Sequence, residues 1–466
     1  MKGPIAGNQR KCAAYLRKAA LIAASIGAAA LSGCVKYHSQ ALDPPRSEQQ
    51  FRARTLADAG LGSFLNRADW PPPKLGLNDL TAVAFYFNAD LDVARAQVRA
   101  AEAGILTARA RPNPSISVGG GWTNSPESPL VFHFDPAITL ETAGKRGWRI
   151  LESEKLAEAA RVQVAETAWR VRSRARAAWL DYVMAVRSLE VLRNERDVRA
   201  EAAAILEKRL SVGEAARPDV SVSHAALISV ETEAKAAETT VAESGAALAS
   251  AIGLPSLPPV DTQALPPTPT SPPLAEVQKA GLLHRADIRR SLLEYAAAEA
   301  RLRLEIANQY PDVQLSPGYA FDEGHHKITF GPGFPIPLLN RNRGPIAEAE
   351  ARRAEAEARF DALQARAIGE MEMALARYRG GLVELGDAGE RLGRIQQVRE
   401  AAMRRAVEAG EEDRLALAGV RVESAVAARA RLDALRRVQS ALGDLEDAVE
   451  QPLEPGSPLP NPEIKP

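Results

Sequence analysis

Four short stretches of the chain alternate apolar and polar side chains with a period of two. In 115–123, Ile116, Val118 and Trp122 share one face, and Ser115, Ser117 and Thr123 the other. In 131–141, Phe132, Phe134, Ile138 and Leu140 oppose His133, Asp135, Thr139 and Glu141. Further on, Val313, Leu315, Tyr319 and Phe321 alternate with Gln314, Ser316 and Asp322. Ile328, Phe330, Phe334, Ile336 and Leu338 alternate with Lys327, Thr329 and Gly333. This period marks β-strands with one apolar and one wet face. The spacing predicts strands over about 114–123, 131–141, 311–322 and 327–338. Lengths near ten suit strands that cross a bilayer, with lipid outside and water inside. The soluble counterpart would be a sandwich edge. On the membrane reading, His133, Asp135, Thr139 and Glu141 line a lumen.

Most of the remaining pattern is helical and rich in Ala, Arg and Glu. Helices are expected over about 78–110, 146–211 and 219–252, and again over 274–308, 345–409 and 413–449, with Asn78 as a plausible N-cap. A helix of ~65 residues is roughly 100 Å long. No single-domain core is that long, so such helices must lie side by side as coiled coils. Gly213 and Gly410 sit where the chain must reverse, and glycine suits a helix end that needs positive φ. Pro218-Asp219 restarts a helix, with Asp219 near its positive end.

The two sets of elements are a tandem repeat. Ala101-Glu102-Ala103 recurs as Ala298-Glu299-Ala300, Pro114 as Pro311, Arg146-Gly147 as Arg343-Gly344, and Gly213-Glu214 as Gly410-Glu411. All four matches share one offset. A Pro-rich stretch, 253–273, joins the halves and cannot be helical. The expected organisation is a first repeat over 75–252, the linker, a second repeat over 274–450 and a Pro-rich tail, 451–466. Four strands cannot close a barrel, since about eight is the smallest. Open edges are not tolerated in lipid. Several chains must then share one barrel: two would give eight strands and three would give twelve.

The N-terminus changes the compartment. Lys2, Arg10, Lys11, Arg17 and Lys18 precede an apolar run over 19–30 that is too short to span a bilayer. That layout is a secretory signal. It ends in Leu31-Ser32-Gly33-Cys34, which resembles a bacterial lipobox. The resemblance implies that 1–33 is removed, that Cys34 is acylated and that 34–74 is a lipid-anchored N-terminal segment. Val35, rather than Asp, follows the cysteine, which favours the outer membrane. Removing the leader's five bases from 59 leaves 54, against 59 acids. A chain so balanced offers no nucleic-acid face. The other cysteine, Cys12, leaves with the leader, so neither a disulfide nor a thiolate metal site is expected.

At this point the chain resembles the TolC-like outer-membrane efflux factors. The resemblance spans about 75–450 and rests on the lipobox, the duplicated module and local strings. These are ARARPNPSISVGGGW before the first strand, LETAGKRGWRI after the second, and PIPLLNRNRGPIAEAEA at the matching place in the second half. LETAGKR is most like the cobalt-zinc-cadmium resistance branch. The family implies a mainly helical fold with a small membrane β-part: a homotrimer with a shared twelve-stranded barrel on a long periplasmic α-barrel. It implies the exit duct of a tripartite pump, with a periplasmic adaptor and an inner-membrane RND-type transporter as partners. Heavy-metal cations are the expected cargo, with drugs or other small organic molecules as the alternative. A coiled-coil structural lipoprotein without a channel is a second alternative. The family also implies that the hairpin tips form the periplasmic mouth and meet the adaptor. They comprise Gly213, Glu214 and Asp219, and Glu408, Gly410, Glu411, Glu412, Asp413 and Arg414. The acids of the second tip would form a ring held shut by Arg405 and Arg414.

No catalytic string is visible, and neither an enzyme activity nor a cofactor is expected. Ala143-Gly144-Lys145-Arg146 lacks the upstream Gly and following Ser/Thr of a phosphate loop, and is better taken as a basic turn. Gly119-Gly120-Gly121 suits packing inside a narrow barrel. His325 and His326 fall in the expected outer loop and are weak candidates for a zinc site.

Overall fold

The computed structural model describes residues 35–65, 70–123, 130–263, 265–322 and 324–453. The leader, the acylation candidate Cys34 and the tail from 454 lie outside the described residues. The chain divides at residue 53. In the first unit, α1 (Pro44–Arg52) is an exposed helix capped by the Asp43 side chain. All else belongs to the second unit.

That unit opens with α2 (Ala59–Leu65), α3 (Leu77–Phe87) and α4 (Ala89–Arg109). A hairpin of β1 (Ser115–Trp122) and β2 (Leu130–Leu140) follows, then α5 (Lys145–Ser211) and α6 (Arg217–Ala251). The second repeat supplies α7 (Leu274–His284), α8 (Ala286–Ala307), β3 (Val313–Asp322) and β4 (His325–Gly333). It continues as α9 (Arg343–Leu385), a π-helical segment over Gly386–Leu392, α10 (Gly393–Glu408) and α11 (Arg414–Val449). No helix among the described residues is long and apolar enough to cross a membrane.

The helix expected over 78–110 is two helices that meet at Asn88, and the one over 274–308 breaks at Arg285. These positions are 197 residues apart, so the break itself is repeated. Asn88 Oδ1 accepts from the Asp90 N–H at 2.8 Å, an N-cap that restarts the helix. The very long helix of the first half is unbroken. Its second-half counterpart is interrupted by the π segment, which contains Gly386 and Gly389 and is followed by Gly393.

Two cores anchor the repeats. The first gathers Leu80, Val83 and Leu91 with Val171, Trp179, Val183, Leu248 and Ile252. The second gathers Ile288, Met371, Leu375 and Tyr378 with Val438, Leu442 and Leu445. The linker crosses these helices in extended form. Its Pro266 carbonyl accepts from Gln439, that of Pro269 from the Tyr378 hydroxyl, and that of Thr262 from Arg187. Proline removes N–H donors from this stretch, and side chains of the bundle use its carbonyls.

The four strands form one antiparallel sheet in the order β1-β2-β3-β4. Ser117 pairs with Asp135, Thr139 with Gln314, and Gly318 with Thr329. The fourth strand differs from expectation at both ends. It starts at His325 and closes at Gly333 rather than 338, because Pro335 and Pro337 supply no N–H to a ladder. Phe334, Ile336 and Leu338 therefore lie beyond the sheet.

Candidate functional site

The register puts the two sets of strand side chains on opposite faces. Ile116, Val118, Phe132, Phe134, Ile138, Ile328 and Phe330 form an apolar face, and every one of them is exposed. A continuous exposed apolar surface is the mark of an interaction with lipid or another apolar partner. On the other face, a methyl at Gly119 would collide with the His133 ring. One at Gly318 would collide with the Asp135 carboxylate and the Thr329 hydroxyl. The glycines thus make room for the polar side chains of the neighbouring strands, and His133, Asp135 and Thr329 share one face.

Glu141 departs from the lumen expectation. The second strand ends at Leu140, and Glu141 meets Arg149 of α5 at 2.7 Å, with its side chain only 13% exposed. The backbone turns through Ala143 and Gly144, both at positive φ, into α5. The basic turn expected at Ala143-Gly144-Lys145-Arg146 is this junction. Lys145 Nζ meets Asp312 at 2.7 Å, and the Thr142 N–H donates to the same carboxylate at 3.0 Å. Burial alone would raise the Asp312 pKa, but Lys145 and Thr142 hold it below the ordinary carboxylate value. The first repeat's strand-to-helix turn is therefore tied to the start of β3. In the second repeat Asn342, also at positive φ, donates to the Glu305 carbonyl at 2.8 Å and to its carboxylate at 3.0 Å. Sequence reading missed these ties, because nothing local in Lys145 or Asn342 announces a partner so distant along the chain.

The histidine pair is not a loop tip. His325 and His326 open β4, and successive strand side chains point to opposite faces. His326 stacks on Tyr319, whose hydroxyl lies 2.7 Å from its Nδ1. The two imidazoles do not converge. Among the described residues no group of three or more His, Cys, Asp or Glu is placed to hold a metal.

The hairpin tips are built alike. Gly213 (φ 80°) and Gly410 (φ 77°) close each long helix. The Glu214 N–H donates to Arg209 O at 2.8 Å, and the Glu411 N–H to Ala406 O at 2.9 Å. Both are Schellman turns, where a left-handed residue lets the chain cover orphan carbonyls. Asp219 lies in the first turn of α6. Glu408, Glu411, Glu412 and Asp413 do crowd the second tip, but the arginine facing Asp413 is neither Arg405 nor Arg414. It is Arg209, from the first hairpin. Arg405 instead donates to the Ala401 carbonyl in its own helix. Desolvation opposes the charge on Asp413, but Arg209 and the backbone N–H groups of Leu415 and Arg414 together outweigh it and lower the pKa.

That pair begins a ladder between the hairpins. Arg421 meets Glu201 at 3.2 Å, Arg429 meets Glu195 at 3.3 Å and Glu233 at 2.7 Å, and Arg436 meets Asp181 at 2.8 Å. Asp413, the N-cap of α11, and Arg421, Arg429 and Arg436 within it recur every seven or eight residues, a coiled-coil seam written in charge.

Residues 86–254 match the outer membrane efflux protein family. The chain is similar to the cobalt-zinc-cadmium resistance protein CzcC of Cupriavidus metallidurans, 23% identical over 277 residues. That alignment covers 59% of this chain and 66% of CzcC, just under two thirds of the relative. Among solved structures it resembles the outer membrane protein VceC of Vibrio cholerae (21% identity, TM-score 0.64, 81% of this chain and 97% of that one). It also resembles CusC (17% identity, TM-score 0.64), covering 90% of this chain and 99% of that one. The first repeat thus matches the outer membrane efflux protein family over residues 86–254, and most of the chain shares the fold of VceC and CusC.

Proposed function

We propose that the chain is one third of a passive exit duct: three copies share a twelve-stranded barrel in the outer membrane and continue it as a periplasmic α-barrel. The observation that carries this reading is the four-stranded sheet, in which β1 and β4 are edges and one face carries exposed apolar side chains from all four strands. Unpaired edges in hydrocarbon cost several kcal/mol per group, so further copies must supply the missing strands. His133, Asp135 and Thr139 then face the lumen, while Glu141 braces the junction below. Acylation of Cys34 anchors the N-terminus.

The duct works in a tripartite pump. A periplasmic adaptor docks on the hairpin tips, around Gly213, Glu214, Asp219, Gly410 and Arg414, and an inner-membrane RND-type transporter drives export. Glu408, Glu411 and Glu412 of each copy converge on the axis and favour cations, since acidic rings do so in pores. Likeness to a cobalt-zinc-cadmium resistance protein supports heavy-metal cations as the cargo. A duct needs no tight metal site, because cargo must leave easily.

Single-channel recording in planar bilayers tests the duct. Purified protein is expected to give discrete conductance with cation preference, and Glu411→Gln with Glu412→Gln is expected to lower that preference. Absence of conductance overturns the duct; unchanged selectivity overturns the ring. Growth of a deletion strain on zinc, cobalt and cadmium against a panel of organic toxins tests the cargo. Sensitivity to the organic compounds alone would overturn the metal reading.

A further inference from the structure

The two repeats part company at their last helical turn. Both α6 and α11 end in a Schellman turn. At the first, the Leu254 N–H donates to Ala249 O at 3.0 Å and Gly253 stands at φ 77°. At the second, the Gln451 N–H donates to Glu446 O at 3.3 Å, and the residue 197 positions after Gly253 stands at φ 50°. That residue is Glu450. A side chain in the left-handed region is unfavourable, so its retention asks what the side chain does. Glu450 Oε2 accepts from the Ala286 N–H at 2.5 Å, at the first turn of α8. In the first repeat a neutral amide, Asn88, caps the matching helix from within its own segment. In the second, one carboxyl group fastens the end of α11 to the start of α8.

Its surroundings are acidic, and their arginines are engaged elsewhere. On α8, Arg285 meets Asp287 at 2.7 Å and Glu370 of α9 at 2.9 Å, and donates to Ala448 O at 3.1 Å. Arg290 meets Glu166 of α5 at 2.9 Å and Glu294 at 2.6 Å. On α11, Glu446 meets Arg172 at 2.9 Å and lies 3.6 Å from Arg176, while Asp447 accepts from Trp169 and Ser173. His284, which ends α7, is exposed. The carboxyl groups of Glu166, Asp287, Glu294, Glu370, Glu446, Asp447 and Glu450 outnumber the guanidinium groups of Arg172, Arg176, Arg285 and Arg290.

We infer that this joint is proton-responsive, with Glu450 as the sensing side chain and the hold of α11 on α8 as the response. Burial and the facing carboxylates Asp287 and Glu166 push its pKa up to about 7, against the pull of the Ala286 cap and Arg285. A protonated Glu450 still accepts from Ala286 through its carbonyl oxygen, and it no longer sets a charge against those acids. The sign follows from linkage. The folded chain keeps the proton up to about pH 7 and the unfolded chain only to about 4.5. The joint is therefore tightest below pH 4.5, loosens as pH rises through 7, and is level above that. Since α11 is the returning helix of the second hairpin, the pH around the bundle reaches that hairpin through this latch.

Hydrogen exchange on the full-length protein in detergent, corrected for intrinsic rates, tests it. For peptides covering the start of α8, wild-type protection is expected to fall several-fold from pH 5.5 to 7.5, with about tenfold per pH unit as the ceiling. Glu450→Gln is expected to change less than twofold. Glu450→Gly installs the first repeat's own residue and should also be level, which covers the case that the glutamine variant folds poorly. Peptides at the start of α4, capped by Asn88, should be level in all three proteins. A wild-type slope retained in either variant, or no slope in the wild type, overturns the inference.

Discussion

The two hairpins follow one plan of helix, tip glycine and returning helix, yet they hold themselves together differently. In the first, Leu189 and Leu192 of α5 are buried against Val230 and Ala234 of α6, with Leu227 and Val241 around them. In the second, the same stretch shifted by the repeat is Gly386–Leu392, wound as a π-helix, and α10 beyond it buries nothing. Ile395 and Val398 are 62% and 65% exposed. The lower second hairpin is instead tied to the first through Arg209–Asp413 and the Arg421 and Arg429 pairs. Apolar burial contributes about 25 cal/mol per Å², whereas an exposed ion pair contributes about 0–1 kcal/mol and weakens with salt. One copy of the module is thus a packed strut. The other is a lighter arm that leans on it.

The largest expected effect lies in the strut. Leu192→Ala removes a side chain only 4% exposed and should cost about 2–5 kcal/mol in denaturant unfolding. A loss below about 1 kcal/mol would mean the first hairpin is not held by that cluster. Next comes stiffening of the arm. An added methyl at Gly386 meets nothing within 4 Å, so Gly386→Ala should raise helix stability by about 0.5–1 kcal/mol. Slower hydrogen exchange in Gly386–Glu408 is the readout, and unchanged exchange would show that glycine is not what loosens the arm. The smallest effect is at the tip. Asp413→Asn should release the second tip from Arg209 by no more than about 1 kcal/mol. Because the folded pKa of Asp413 is depressed, its contribution is present at neutral pH and lost as pH falls through the folded value. The same loss should appear in wild type at high salt, and a release indifferent to salt would remove charge from the account of the tip.

Much of this comparison is legible in the residues, for identifiable reasons. The strands announce themselves because apolar alternation has only one geometric reading at that length, and the sheet keeps Phe132, Phe134 and Ile328 on one face as that pattern requires. The reversals at Gly213 and Gly410 follow from a local need for positive φ. The kinks at Asn88 and Arg285 are hidden, since an N-cap inside an Ala-rich run leaves the helical period intact. The extension of β4 to Leu338 fails because the alternation continues through Pro335 and Pro337 while the ladder cannot. Glu141 carries the parity of a lumen residue, and its partner Arg149 lies past a turn that parity does not describe. Arg209 as the partner of Asp413 joins residues 204 positions apart, and the composition of either tip is silent about it.

The central claim is that this sheet is a fraction of a barrel, completed by copies of the same chain. Native mass spectrometry of the protein extracted from outer membranes in mild detergent measures that directly. The account predicts a single dominant species of three chains, separating into monomers on boiling. A monomer that persists in the unheated extract would contradict it.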